Sequence, residues 1–445
     1  MSVATLIASH NSGDNWVLNL NHLKNHGLVS SLSDGSLKLY PLNVNQDRNF
    51  APIRTIQAHN SSINASRSVD GENLIGTAST DGIKIFDLRN SNDSPVAVFN
   101  NQRNIPFLSL DFKNNYVAGG TELKQADAEL HIWDLRNKEI VRSFVDSHHD
   151  DITEIKFHPT DDSMLLSGST DDYVNIYDLN IPDEDDALHQ VINFNSIHSA
   201  GWLSPTRIYT LSHMETFAIH ELNDKSDDLH EPKPVEFGDI REPWDCEYVV
   251  DVYPGFIATG SNSKANARLY PFINEQINLD TPIKLNGAHG EEVVRTVYCP
   301  PNSNLIYTGG EDGNLRIWKS DIELNAPESF FQLSGAQSST TTTEDKDVEM
   351  EVDTPEETPE TASTSSSSSE DEDEELEGKK RKKKEKKEKK EKKEKKDKKD
   401  KKEKKEKKEK KDKGEKKDKK DKKDKKDKKP KSEKKSKKDH RFKPY

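Results

Sequence analysis

The stretch NLIYTGGEDGNLRIWKS (304–320), preceded by AHGEEVVRTVYCP (288–300), decides the architecture. It holds a short apolar strand, a second strand rich in Thr and Gly, an Asp-Gly turn, and an alternating strand that ends on an aromatic residue. MLLSGSTDDYVNIYDL (164–179) and NLIGTASTDGIKIFDLRN (73–90) follow the same template. Weaker copies stand at SSLSDGSLKLY (30–40), RIYTLSHMETFAIHEL (207–222) and FIATGSNSKANARLY (256–270).

A unit of roughly 40–45 residues with about four short strands is the size of a β-propeller blade. One blade cannot cover both of its own faces, so stability requires several stacked units sharing a continuous core. The sequence divides into seven blades near 14–57, 62–99, 106–146, 151–194, 197–237, 245–287 and 292–318. The last is short of an outer strand. SVATLIAS (2–9) alternates apolar and small residues and is the expected replacement, closing the ring from the opposite terminus. The fold class is therefore all-β, a seven-bladed propeller over 1–335.

These repeats resemble the WD-repeat family. That resemblance implies a buried relay in which a turn Asp binds a His, the His a hydroxyl, and the hydroxyl an indole N–H. In the seventh blade it implies His289, Thr308, Asp312 and Trp318. In the fourth it implies His148, Ser167 and Asp171 with Tyr177 in place of Trp. In the second, His59, Thr77 and Asp81 meet Phe86, which has no N–H or O–H, so that relay is expected to be incomplete. The role is structural: each such bond is worth about 0.5–1.5 kcal/mol net, and an orphaned buried partner costs more. Blades five to seven, through SAGWLSPTRIYTLSHMETFAIHEL (199–222) and FGDIREPWDCEYVVD (237–251), resemble the WD repeat-containing protein 89 family in particular.

Charge divides the chain. Residues 1–335 carry 24 Lys/Arg against 48 Asp/Glu, residues 336–378 carry 1 against 16, and residues 379–445 carry 42 against 17. Residues 336–378 are Ser, Thr, Pro and acid, too poor in apolar groups to offset chain entropy, and read as a disordered acidic linker. Its run SSSSSEDEDEE (365–375) makes Ser367, Ser368 and Ser369 candidate phosphosites for an acidophilic kinase. Lys379, Lys380, Arg381, Lys382, Lys383 and Lys384 form an unbroken basic block that reads as a nuclear localisation signal. The KKE and KKD triplets that follow hold no apolar position and exclude a coiled-coil seam. They resemble the tails of nucleolar box C/D and H/ACA ribonucleoprotein proteins, which implies a nuclear, nucleolar setting and salt-sensitive, sequence-independent RNA contact.

No Gly-rich phosphate loop, nucleophile elbow or HExxH helix occurs, so no enzyme and no cofactor are expected. His148, His149, Asp150 and Asp151 are the most metal-like cluster, but His148 already belongs to a relay, and no metal is expected there. Cys246 and Cys299 form neither a disulfide framework nor a thiolate cluster, and no apolar run is long enough for a membrane span. The expectation is a soluble intracellular chain without a signal peptide, monomeric within a larger complex. Phe86-Asp87-Leu88-Arg89 and Trp133-Asp134-Leu135-Arg136 resemble the box by which substrate receptors dock on cullin-4 ligase adaptors, which makes Arg89, Trp133, Asp134 and Arg136 candidate docking residues. Trp244, in EPWDC, is read either as an exposed aromatic anchor or as a plug under the propeller edge. The functional expectation is a non-catalytic nuclear scaffold for basic protein partners in ribosome biogenesis or another RNA-rich assembly. A cullin-4 substrate receptor and a chaperone for a basic client are the alternatives.

Overall fold

The computed structural model describes residues 2–42, 50–224 and 232–331. The inner-to-outer strands run from Val17–Leu23 to Arg54–Gln57 in blade one and from Ala65–Ser68 to Ala97–Phe99 in blade two. Blade three runs from Phe107–Lys113 to Ile140–His148, and blade four from Ile152–Phe157 to Leu188–Asn193. Blade five spans Ile197–Ser204 to Val235–Asp239, and blade six Tyr248–Tyr253 to Ile283–Asn286. Each has four antiparallel strands, and in blade six the short strand Gln276–Ile277 also pairs with the third strand. The expected limits hold within a few residues.

Blade seven contributes Val294–Tyr298, Leu305–Gly310 and Asn314–Lys319, and its fourth strand is Thr5–Asn11, with Leu6 opposite Trp318. The N-terminal segment does more than expected. Ser2–Val3 pairs parallel with the outer strand of blade six, Ser2 opposite Ile283 and Val3 opposite Lys284. The first ten residues therefore stitch two blades, and Ala4, at the crossing, is buried.

The core lies between blades. Ile75 and Phe86 of blade two join Leu23, Val29 and Ile56 of blade one, and Phe99 and Ile83 join Leu110 and Trp133 of blade three. Equivalent apolar clusters occupy every later junction, and Tyr40 and Leu28 of blade one close the ring against Tyr307 and Ile317 of blade seven. Small residues on the second strands permit this approach. A Cβ on Gly168 would come within 2.8 Å of Ile197 of the next blade, and one on Gly310 within 2.6 Å of the His289 ring.

Because strands alternate in direction, every turn between second and third strands, and every loop into the next blade, lies at one end of the ring. This is the upper face. First-to-second turns and third-strand ends form the lower face. After its last strand the chain turns along that lower face: Leu324 and Ala326 are buried against blades six and seven, Phe330 packs on the cluster between blades five and six, and Phe331 on that between four and five. The expected linker 336–378 and basic tail 379–445 lie outside the described residues.

Candidate interaction surface

His59, His148 and His289 precede the first strands of their blades at the upper face and are consumed within it. In blade seven His289 Nδ1 lies 2.6 Å from Asp312 Oδ1, and its Nε2 lies 2.8 Å from Thr308 Oγ1. Trp318 Nε1 donates to the same hydroxyl at 3.0 Å. If Nδ1 carries the ring proton toward the carboxylate, the hydroxyl donates to Nε2 and accepts from the indole, and neither ring is left with an unpaired nitrogen. Burial would raise the Asp312 pKa, but the hydrogen bond and charge of His289 hold it below the ordinary carboxylate value.

In blade four His148 reaches Asp171 at 2.9 Å and Ser167 at 2.7 Å, and the Tyr177 hydroxyl stands 3.3 Å from Ser167 Oγ. In blade two His59 binds Asp81, and its Nε2 is 2.7 Å from Thr77 Oγ1. With Phe86 in the aromatic position, the Thr77 hydroxyl turns instead to the Lys84 carbonyl at 3.2 Å. Blade five carries a shortened relay that the sequence reading passed over, Thr210 Oγ1 to His220 Nε2 at 3.0 Å. The ten-residue separation of Thr210 and His220 repeats that of Thr308 and Trp318 and was the available signal. In blade six Tyr270 takes the aromatic position and donates to the Trp244 carbonyl at 2.7 Å.

That last bond explains Trp244. It is not an exposed anchor: it is 3 % exposed, with Phe217 and Phe237 at ring-centroid distances of 5.6 and 6.4 Å. A positive-φ residue, Asp245, follows it and bends the loop so that the indole plugs the junction of blades five and six.

The two DLR tetrapeptides end the third strands of blades two and three at the lower face. Trp133 is buried between Phe99 and Phe107. Arg136 forks onto Asp134, with Nη2 2.5 Å from Oδ2, and Arg89 forks onto Asp87, with Nη2 at 2.7 Å. The hydrogen bonds from Arg136 lower the Asp134 pKa to about 2. Both guanidinium side chains remain more than half exposed, at 62 and 67 %. A third copy of the fork, Asp239 with Arg241, stands on the upper face. Each aspartate thus tethers the arginine two residues on.

His149 is exposed beside Asp127 at 3.5 Å while its neighbour His148 points into the relay, and no group of metal-ligating side chains forms among the described residues. Cys246 and Cys299 are free and buried, and burial raises both thiol pKa values, that of Cys246 to about 12. On the inner strands Glu154 is 3.2 Å from Arg67 and 3.1 Å from Lys156. Asp111 accepts the Phe157 N–H at 2.8 Å and Asp251 the Ser199 hydroxyl at 2.8 Å, and burial raises the pKa of both carboxyls. The inner strands are thereby joined across blades by one ion pair and by hydrogen bonds to buried carboxyls. Among the described residues no helix is long and apolar enough to cross a membrane.

Residues 138–178 and 281–319, which hold the blade-four and blade-seven relays, match the model of the WD domain, G-beta repeat. A WD repeat-containing protein of Saccharomyces cerevisiae is 47 % identical over 344 residues, covering 75 % of this chain and 87 % of the relative. The chain belongs to the WD-repeat family. A WD-repeat protein of Schizosaccharomyces pombe is 28 % identical over 341 residues, 72 % of this chain and 99 % of the relative. The WD repeat-containing protein 89 homolog of Dictyostelium discoideum is 27 % identical over 340 residues, 70 % of this chain and 88 % of the relative. The WD-repeat propeller is a non-catalytic class of fold, which agrees with histidines spent on holding blades. The candidate phosphosites Ser367, Ser368 and Ser369 and the basic block from Lys379 to Lys384 lie outside the described residues.

Proposed function

We propose that this WD-repeat protein is a nuclear scaffold that binds basic proteins on its propeller and is retained by its lysine-rich tail near RNA-rich assemblies, ribosome precursors among them. The observation that carries the reading is a closed, rigid ring of seven blades bearing 24 Lys/Arg against 48 Asp/Glu over 1–335. Such a potential steers cationic partners to the surface and raises their association rate. The basic block from Lys379 to Lys384 supports nuclear import, and the 42 Lys/Arg of residues 379–445 support RNA contact through counterion release. Sedimentation of nuclear extract tests this directly. The protein is expected in the fractions of large ribosome precursors at low salt, and removal of residues 379–445 is expected to make that association more easily displaced by salt without abolishing it. A protein at the top in both forms refutes the assembly reading.

A second reading, receptor for a cullin-4 ligase, is kept by one observation: Arg89 and Arg136 present exposed guanidinium groups at the third-strand ends of neighbouring blades. Ligase recruitment predicts that the Arg89→Ala/Arg136→Ala pair abolishes capture of the adaptor. Adaptor capture that is absent from the wild type, or unchanged in the variant, removes that reading.

A further inference from the structure

The lower face holds a cavity of about 390 Å³ where blades six, seven and one meet the segment that follows the last strand. Its lining includes four aromatic rings, those of His22, Tyr253, Phe256 and Tyr298. Tyr253 stacks on Phe256 at 4.9 Å, and His22 stacks on Tyr298 at 5.5 Å. The Tyr298 hydroxyl is closed off from water and has no hydrogen-bond partner, an arrangement that costs about 1–3 kcal/mol and calls for a reason.

Charge enters the cavity from the C-terminal segment. Ala326 is buried against blades six and seven, and the segment continues through Pro327 to bring Glu328 to the lining. Glu328 is exposed and makes no ion pair among the described residues. Its carboxylate acts electrostatically on both His22 and Tyr298. Burial lowers the His22 pKa, so the imidazole is neutral at pH 7 and does not offset that carboxylate. Lys24 also borders the cavity and is exposed.

We infer that this cavity receives an arginine side chain of a partner protein, its guanidinium lying against the tyrosine rings and directed to Glu328. The inference rests on the scaffold reading and gives it a site. Aromatic faces attract a cation through their quadrupoles, and a planar, weakly hydrated guanidinium suits stacking better than an ammonium. A volume of this size falls within the range of sites that bury a small ligand behind apolar walls and a few placed polar groups. The net negative propeller favours delivery of such a ligand over an acidic one.

The test is a ligand-observed NMR titration of the full chain with Nα-acetyl-arginine methylamide and with the citrulline analogue, which has the same shape without the charge. The wild type is expected to bind the arginine probe at least about tenfold more tightly, and Glu328→Gln to remove that preference. Because Glu328 is exposed, that substitution leaves the fold intact; Tyr298→Leu, checked by thermal melting, is expected to weaken the arginine probe as well. Equal binding of the two probes, no saturable binding, or a preference that survives Glu328→Gln overturns the site. A parallel affinity purification separates this proposal from the scaffold reading. Basic clients retained equally by wild type and Glu328→Gln overturn the site and leave the scaffold standing. A wild type that retains none, while the probes still discriminate through Glu328, supports the site and overturns basic clients as the proposed function.

Discussion

Replacing Thr308 by Val keeps the shape of the side chain and removes the one hydroxyl that serves two buried partners in blade seven. His289 Nε2 loses its donor at 2.8 Å, and Trp318 Nε1 loses its acceptor at 3.0 Å. Both rings are 2 % exposed, so water does not replace the lost group. Each orphaned buried partner costs about 1–3 kcal/mol, which places Thr308→Val at about 2–6 kcal/mol. Thr77→Val is the internal control. In blade two the aromatic position is Phe86, so His59 is the one ring that loses a partner, and the cost is about half as large. Adding Trp318→Phe to Thr308→Val removes the orphaned indole N–H and should recover about 1 kcal/mol, a coupling that a double-mutant cycle measures. The assay is denaturant unfolding followed by tryptophan fluorescence, read as midpoint shifts at constant slope. A Thr77→Val variant as damaged as Thr308→Val, or additive behaviour of the Thr308 and Trp318 substitutions, would refute the relay as the source of the stability.

Other consequences follow from the same geometry. Glu215 accepts the Val249 N–H at 2.9 Å across the junction of blades five and six, and burial raises its pKa to about 7 from 4.5. The folded state therefore holds a proton that the unfolded chain releases between those values, and stability falls as pH rises through that window. Glu215→Gln should flatten that slope and stabilise the propeller by about 2 kcal/mol at pH 8, after allowance for solvent, as read by thermal melts across pH. Burial lowers His220 to about 4, so the unfolded chain takes up a proton first as pH falls from 6.5, and stability is lost through that interval; replacing His220 by Asn should reduce the acid slope. Deleting residues 2–11 should expose the edge of Asn314–Lys319, and hydrogen exchange should show the amides that faced Thr5–Asn11 unprotected while those of blades two to four are unchanged.

Much of the ring was legible because each blade spells its own limits. Turn residues and alternating strands mark the blade edges, and a missing outer strand in blade seven pointed to the N-terminus. The extra pairing of Ser2–Val3 with blade six was not readable, because a two-residue parallel pairing leaves no period. His289, Thr308, Asp312 and Trp318 come together because the family pattern keeps their spacing; His220 was overlooked because a histidine in the aromatic position does not look like one. Trp244 shows a different limit. A loop tryptophan beside acidic residues has the composition of an exposed anchor, and only its contacts with Phe217 and Phe237 reveal a plug. The cavity at Glu328 was hidden for the same reason, since Leu20, Tyr253, Tyr298 and Glu328 come from four separate parts of the chain.

The most direct test of the scaffold account is affinity purification of the full chain and of residues 1–335 in parallel, at moderate salt and with nuclease, followed by quantitative mass spectrometry. The account predicts that both forms retain the same basic ribosomal or assembly proteins, because selection resides in the propeller. Partners that vanish with the tail or with nuclease would contradict it and reduce the association to attraction between charges.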